Sequence, residues 1–220
     1  MKPVLSVIAV IIVVIIGSAI AFNIIIPEKK LKIFKPSDIN PQLVDKDSRT
    51  KSGTHHIAGF ELVDQQGRII TEKDLDNKIY VADFFFTTCP SICPDMSAQM
   101  KRIHDKFLED KDVMLVSHTV MPETDTPEVL ANYANLYEAS LDKWLFLTGD
   151  KKKIYDLARR SYFAVTSTGN GDEHDFIHTE NFILIDKEKR IRGFYDGTDK
   201  KDIDRLLSEI EILKKAYIIE

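Results

Sequence analysis

The stretch "KIYVADFFFTTCPSICPDM", residues 78–96, contains the only two cysteines of this 220-residue chain, Cys89 and Cys93. Its first nine residues are mostly apolar, with aromatic and β-branched side chains that are typical of a buried strand. Pro94 and Asp95 then open a segment whose apolar residues recur at helical spacing, and proline is favoured in the first turn of a helix. The stretch therefore predicts a strand that leads through a short cysteine-bearing loop into a helix.

Short strands and helices alternate outward from this stretch. We predict strands at 56–64, 68–70, 78–86, 112–120 and 144–148, and helices at 95–108, 126–139 and 150–164. A hairpin of strands 180–186 and 190–197 and a final helix at 199–217 follow. This alternation predicts an α/β fold with a central mixed sheet flanked by helices. The cysteines would then follow the carboxyl end of a central strand, where open α/β sheets place their ligand sites.

Three regions can be distinguished along the chain. Residues 1–26 carry no charge from Val4 to Ile26, and this run is as long as the roughly 20 apolar residues of a transmembrane helix. We predict a transmembrane signal anchor there. Residues 27–54 are polar and broken by prolines, which predicts a flexible tether with little packing of its own. Residues 55–220 are predicted to form one globular domain.

The N-terminal run allows two fates and two orientations. Ala19-Ile20-Ala21 matches a signal-peptidase pattern, but the apolar run continues past it and exceeds the usual signal-peptide core of about 7–15 residues. A retained anchor is therefore favoured, with cleavage as the alternative. Lys2 precedes the run, whereas four lysines follow it between residues 29 and 35. The positive-inside rule would place a domain with that flank in the cytoplasm.

The overall composition excludes several classes of protein. The chain has 30 Lys and Arg against 35 Asp and Glu, for a net charge of -5, and its lysines are interleaved with acids. It therefore lacks the basic surface typical of nucleic-acid binding, and no nucleic-acid partner is expected. Two cysteines cannot form a disulfide-rich scaffold. Structural zinc requires four ligands, and the chain has no second cysteine pair to complete such a site.

The two thiols could support redox chemistry, bind a metal or pack inertly. A helix N-terminus lowers the pKa of a thiol, and Cys93 is predicted to lie at one. Thiolates are nucleophiles and also soft ligands that, together with imidazole, suit Cu(I). Among six histidines, His178 is the best candidate, because it ends a polar loop just before a strand predicted to enter the sheet beside the cysteines. The others are less suitable: His55, His56, His104, His118 and His174.

"FFFTTCPSICPDM" resembles the copper site of the Sco/SenC family, which has the pattern Cys-Pro-x-x-Cys-Pro after a buried aromatic strand. Three later segments also resemble that family, in the expected order. They are "TVMPETDTPEVLANYA", "WLFLTGDKKKIYDLARRSYF" and "FIHTENFILIDKEKRIRGFYDG". The resemblance covers roughly residues 57–215, so the chain is identified as a member of this family.

The resemblance implies a thioredoxin-like fold and a copper site made by Cys89, Cys93 and His178. It implies a membrane-anchored metallochaperone that delivers copper to the binuclear copper site of cytochrome c oxidase subunit II, or reduces the cysteines of that site. Cu(I) is the expected cargo, with Cu(II) left open. Subunit II is the expected partner, beside other copper chaperones or thiol reductants.

The resemblance also implies a location for the domain. A domain that serves the copper subunit of the oxidase must face the periplasm from the inner membrane, or the intermembrane space in a mitochondrion. This contradicts the lysine count, but large trailing domains can translocate regardless of charge.

The sequence departs from the family at two positions, and two other functions stay open. Ile177 and Met121 stand where many members have aspartate, so any role of those acids is in doubt here. The main alternative is a thioredoxin-type thiol–disulfide oxidoreductase that uses Cys89 and Cys93 alone. Such enzymes usually have two residues between their cysteines, whereas this chain has three, which favours metal binding. A peroxidase of the thioredoxin-like superfamily is a weaker third reading.

Overall fold

A computed structural model describes residues 30–39, 54–165 and 174–219, with residues 8, 11–15, 17, 18, 169, 171 and 172. The chain divides into two compact units, Met1–Lys30 and Leu31–Glu220. Most of the predicted anchor, residues 1–26, lies outside the described residues. Within the described part of the chain, we find no helix that is both long and apolar enough to cross a membrane.

Seven strands form one mixed sheet in the second unit, in the order β2-β1-β5-β4-β3-β6-β7. The strands are β1 (Glu61–Asp64), β2 (Ile69–Thr71), β3 (Ile79–Phe85), β4 (Val113–Thr119), β5 (Trp144–Thr148), β6 (Asn181–Ile185) and β7 (Ile191–Asp196). The three central strands β3, β4 and β5 run parallel, and the pairs of β1 with β2 and β5 and of β6 with β3 and β7 are antiparallel. The predicted α/β fold with a central mixed sheet is confirmed.

Four helices pack around this sheet. They are α1 (Ile92–Lys106), α2 (Pro127–Leu136), α3 (Lys151–Asp156) and α4 (Lys200–Ile219). The side chain of Asp150 caps α3 by accepting a hydrogen bond from the backbone N–H of Lys153. The helix predicted over 150–164 does not continue regularly, because α3 passes into a π-helical turn at Leu157–Ser161.

The core lies on both faces of the sheet, which we call the α1 face and the opposite face. Alternate side chains of a strand point to opposite sides. Val81 and Phe85 of β3 accordingly pack with α1 on the α1 face, whereas Ala82 and Phe84 pack on the opposite face, the side of the π-helical turn. All seven residues of β3 are buried. Burial on both faces makes β3 a rigid support for the loop that follows it.

The predicted tether, residues 27–54, is wrong in its described part. The backbone N–H of Phe34 donates to the carbonyl of Ile191 on the edge strand β7 at 2.9 Å, and its ring meets that of Phe194 edge-to-face. Arg192 donates to the carbonyls of Leu31 and Lys32. The segment therefore covers the exposed edge of β7, because an unpaired edge strand leaves backbone groups to be satisfied.

Candidate metal centre

Both cysteines lie between the end of β3 and the first turn of α1. Cys89 is in the connecting loop, and Cys93 is the second residue of α1. The helix begins at Ile92, three residues before the predicted start at residue 95, because proline is tolerated in a first turn, where N–H groups have no partner in the helix. The predicted position of the thiols, at a helix N-terminus beyond a central strand, is confirmed.

The two thiols are buried and close to each other. Cys89 is 6% exposed and Cys93 is 3% exposed, and both are free thiols in this structure. Each sulfur is near enough to the other to shift its pKa. The hydroxyl of Ser91 is 3.7 Å from the Cys89 Sγ. The loop and the first turn of the helix therefore bring the sulfurs together as a pair.

The two thiols differ in acidity although they share one short loop. Burial by itself would raise the pKa of Cys89, but hydrogen bonds from the Cys93 thiol and from the backbone around Ser91 outweigh it, so the pKa is lowered. For Cys93, burial together with its hydrogen bond to Cys89 raises the pKa to about 12. A thiolate reacts and binds metals, whereas a thiol does not. Cys89 is thus the more reactive sulfur, and Cys93 holds its proton.

A buried carboxyl that the sequence analysis missed lies on the same face as the thiols. Asp83 on β3 is 2% exposed, and its Oδ1 atom has no hydrogen-bond partner among the described residues. Burial raises the pKa of Asp83 to about 7, against the effect of a hydrogen bond from Ser117. The negative charge of Asp83 in turn helps to raise the pKa of Cys93. An acid inside an otherwise apolar strand was the signal in the sequence.

His178 approaches the cysteine loop but does not join the thiols. β6 pairs with β3 with Ala82 opposite Ile183, and His178 lies three residues before the start of β6 at Asn181. The rings of Phe86 and Phe176 meet edge-to-face, with centroids 5.4 Å apart. The His178 side chain is exposed. Across the described stretches of the chain, no three His, Cys, Asp or Glu side chains come close enough to hold a metal ion.

Three other histidines have structural surroundings. His104 accepts a hydrogen bond from the backbone N–H of Ser140 through Nε2, and Nε2 of His55 lies 2.7 Å from the Ser161 carbonyl oxygen. His118 on β4 is fully buried on the opposite face, stacked on Phe84. Neither of its ring nitrogens has a hydrogen-bond partner among the described residues. Its distance from solvent makes it a core residue, not a ligand.

Ile177 and Met121, which depart from the family pattern, both contact apolar side chains. Ile177 is 1% exposed and belongs to the core of the opposite face. Met121 is partly buried and packs against that same core. Both side chains thus stabilise the fold at places where a carboxylate would have to be desolvated.

A separate groove of about 670 Å³ lies away from the cysteines. It is lined by residues of the β1–β2 region and of the π-helical turn, including Glu72, Lys73 and Arg160. Its cations and anions are mixed, and Arg160 is paired with Asp156 at 3.3 Å. The groove offers no soft ligand, so the thiol pair is the better candidate for chemistry.

Comparison with known proteins agrees with this geometry. The sequence model of the SCO1/SenC family matches residues 48–214. The chain belongs to the SCO1/SenC family. One SCO1/SenC relative is the SCO1 protein homolog of Bacillus subtilis, which is 31% identical over 159 residues, covering 71% of this chain and 82% of the relative. The family predicted from the cysteine motif is therefore confirmed.

Solved structures of Sco proteins share the fold. BsSco, described as having a disulfide switch and as a member of the Sco family of cytochrome c oxidase assembly proteins, is 30% identical with a TM-score of 0.62, covering 72% of this chain and 93% of that one. ScoI of Arabidopsis thaliana, solved with copper bound, is 29% identical with a TM-score of 0.58, covering 72% and 98%. The central sheet flanked by helices is thus the fold of Sco proteins.

Proposed function

We propose that this chain binds copper through Cys89 and Cys93, with His178 as third ligand, and serves in the assembly of cytochrome c oxidase. The observation that carries the proposal is the pair of buried free thiols between the end of β3 and the first turn of α1, in a chain of the SCO1/SenC family. A relative solved with copper bound supports copper as the cargo. The destination we propose is the binuclear copper site of subunit II.

The chemistry of the two sulfurs fits Cu(I). Thiolates are the soft ligands that Cu(I) prefers. Cys89 is already inclined to ionise, whereas Cys93 must lose its proton when the metal arrives, since binding a cation displaces thiol protons. Loading is therefore expected to release protons and to weaken as the pH falls. Cu(II), a harder ion, would depend more on the imidazole of His178.

His178 is proposed to complete the site by turning inward. Its side chain is exposed, and it is flanked by the buried Ile177 and Thr179. The Thr179 hydroxyl donates to the carbonyl of Ala164 at 2.8 Å, which anchors the backbone next to the histidine. A fixed backbone with a free imidazole allows a ligand that closes on the metal after the thiols have bound it.

Thiol reduction is the second candidate function, and the disulfide switch of BsSco favours it. In that reaction Cys89 and Cys93 form a disulfide and transfer two protons and two electrons to a disulfide of subunit II. The disulfide of subunit II is thereby reduced to two thiols. The same sulfurs cannot be disulfide and copper ligands at once. Oxidation is therefore expected to abolish Cu(I) binding.

The copper proposal is tested by titrating the full chain in detergent with Cu(I) against a competing chelator. Loss of even an outer-shell partner costs a metal site about 10–100-fold in affinity, so Cys89→Ser, Cys93→Ser and His178→Ala are each expected to cost at least roughly 100-fold. His174→Ala is the matched control, because His174 is an exposed histidine near the same strand. If His178→Ala binds Cu(I) as tightly as the parent, His178 is not a copper ligand. If both serine variants, or the oxidised protein, bind Cu(I) as tightly as the parent, the proposed copper site at Cys89 and Cys93 is wrong.

We also propose that residues 1–26 anchor the protein in the inner membrane, with the domain in the periplasm, or in the intermembrane space of a mitochondrion. The proposed acceptor, a copper subunit, requires that side. The lysines after the apolar run oppose this orientation. A reporter that is active only outside the cytoplasm, fused after residue 220, is expected to be active. Activity of a cytoplasm-only reporter at the same position would reverse the orientation.

A further inference from the structure

A buried carboxylate ties the cysteine loop to the neighbouring strand. Asp125, on the loop between β4 and α2, is fully buried. Its Oδ1 accepts a hydrogen bond from the Thr87 hydroxyl at 2.5 Å, and its Oδ2 accepts one from the Thr87 backbone N–H at 3.2 Å. The hydroxyl of Thr119, the last residue of β4, also donates to Oδ2. One carboxylate thus connects the loop of Cys89 with the end of the adjacent strand.

The loop that holds Asp125 is itself fixed by backbone hydrogen bonds. The N–H of Asp125 donates to the carbonyl of Met121 at 2.8 Å, and the N–H of Met121 donates to the Thr119 hydroxyl at 3.0 Å. The N–H of Val120 donates to the carbonyl of Phe85 at 2.8 Å. The carboxylate therefore stands on a support that cannot shift without breaking several bonds.

The position of Thr87 gives this contact its consequence. Thr87 lies just beyond the end of β3 and two residues before Cys89. After β3 the loop leaves the regular ladder, and within it the N–H of Cys89 makes only a long turn bond, 3.3 Å, to the carbonyl of Phe86. The pair of bonds to Asp125 therefore restrains the backbone from which Cys89 projects.

We infer that Asp125 is a positioning residue that holds Cys89 beside Cys93, through Thr87. This inference rests on the proposed function only where Cu(I) affinity is used to measure it. The same positioning also governs how readily the two sulfurs form a disulfide, because a restrained loop keeps one thiol at high effective concentration near the other. Asp125 acts through hydrogen-bond geometry and does not require its charge.

The distinction between geometry and charge defines the main variants. In Asp125→Asn the amide oxygen can accept from the Thr87 N–H and the Thr119 hydroxyl, and the amide NH₂ can donate to the Thr87 hydroxyl, which also accepts. Asp125→Ala removes every one of these bonds. Thr87→Val removes one hydroxyl and keeps the size of the side chain. Thr198→Val is the matched control, since it removes the same kind of bond, from a threonine hydroxyl to the carboxylate of Asp196, outside both the cysteine loop and the Asp125 loop.

Two readouts on the full chain test the inference. The first is Cu(I) affinity by chelator competition. The second needs no copper: in glutathione buffers, the two protein thiols are oxidised to a disulfide while one glutathione disulfide is reduced to two thiols. We expect Asp125→Ala and Thr87→Val to lower both the Cu(I) affinity and this exchange constant by about 10-fold. Asp125→Asn and Thr198→Val are expected to stay within about 2-fold of the parent.

Thermal unfolding of each variant separates positioning from general destabilisation. If Asp125→Ala does not fold, Thr87→Val against Thr198→Val carries the comparison. Equal losses in the two valine variants, or parent-like values in Thr87→Val, would overturn the inference. Losses in Asp125→Asn as large as in Asp125→Ala would show that charge is what matters, and would also overturn it. If the parent fails to bind Cu(I), the copper proposal falls, and the exchange constant still tests Asp125.

Discussion

Two buried ionisable side chains occupy neighbouring central strands and face opposite sides of the sheet. Asp83 on β3 points to the α1 face, beside the thiols, and His118 on β4 points to the opposite face, among the rings of Phe60, Phe84 and Tyr162. Both have polar atoms without a hydrogen-bond partner among the described residues. Burial selects the neutral form of each, because an unpaired charge is costly away from water.

The difference between the two faces separates a candidate for chemistry from a core residue. The pKa of Asp83 is raised to about 7, and its charge influences Cys93. The pKa of His118 is lowered to about 3 by burial, and its ring neighbours are aromatic. Histidine is the residue type more often linked to function, yet here the acid is the one coupled to the thiols. Residue type alone would have made His118, and not Asp83, the better candidate for a functional role.

Replacing Asp83 is expected to have the largest effect on stability. Between about pH 4 and pH 7 the folded protein keeps the Asp83 proton while the unfolded chain has lost it, so this residue lowers stability as the pH rises and its effect is constant above about pH 7. At pH 8, Asp83→Asn should therefore be more stable than the parent by on the order of a few kcal/mol. Urea unfolding of both proteins between pH 4 and pH 8 measures the difference.

Ser117→Ala is the control for that measurement, because it removes the hydroxyl partner of Asp83 and leaves the carboxyl in place. It is expected to extend the loss of stability to higher pH, since the ionised form loses a donor and the pKa of Asp83 rises further. A stability difference between Asp83→Asn and the parent that stays constant from pH 4 to pH 8 would contradict the buried, proton-holding state of Asp83.

The fold could be predicted from sequence where the residue pattern of a segment and its place in the chain indicate the same element. The apolar run of β3, followed by proline, indicated strand, loop and helix, and the order of strands and helices indicated a mixed sheet. The packing of residues 31–39 on β7 could not be predicted, because the contacts of Phe34 depend on an edge strand more than 150 residues later. Sequence separation hides such partners.

In the site as well, the sequence predicts the order of the elements but does not predict which way the side chains point. The closeness of Cys89 and Cys93 follows from their spacing at a helix start. The strand order places β6, which follows His178, next to β3, but whether an exposed imidazole turns toward the sulfurs is set by rotamers, which a pattern does not contain. Asp83 and Asp125 were visible as acids. Their roles appear only when the strand faces and the partner hydroxyls are known.

Replacing His118 is expected to give a smaller effect, of opposite pH dependence. Below about pH 6.5 the unfolded chain binds a proton at this histidine, whereas the folded protein does not until about pH 3. His118 therefore lowers stability progressively as the pH falls through this range. At pH 5, His118→Phe should gain roughly 2 kcal/mol over the parent from this source, and a phenyl ring suits the surrounding aromatic side chains. The gain should shrink toward zero at pH 8, in contrast to Asp83→Asn, whose gain is largest there. Urea unfolding at pH 5 and pH 8 checks both signs, and a gain for His118→Phe that is larger at pH 8 than at pH 5 would mean that the histidine is not buried in its neutral form.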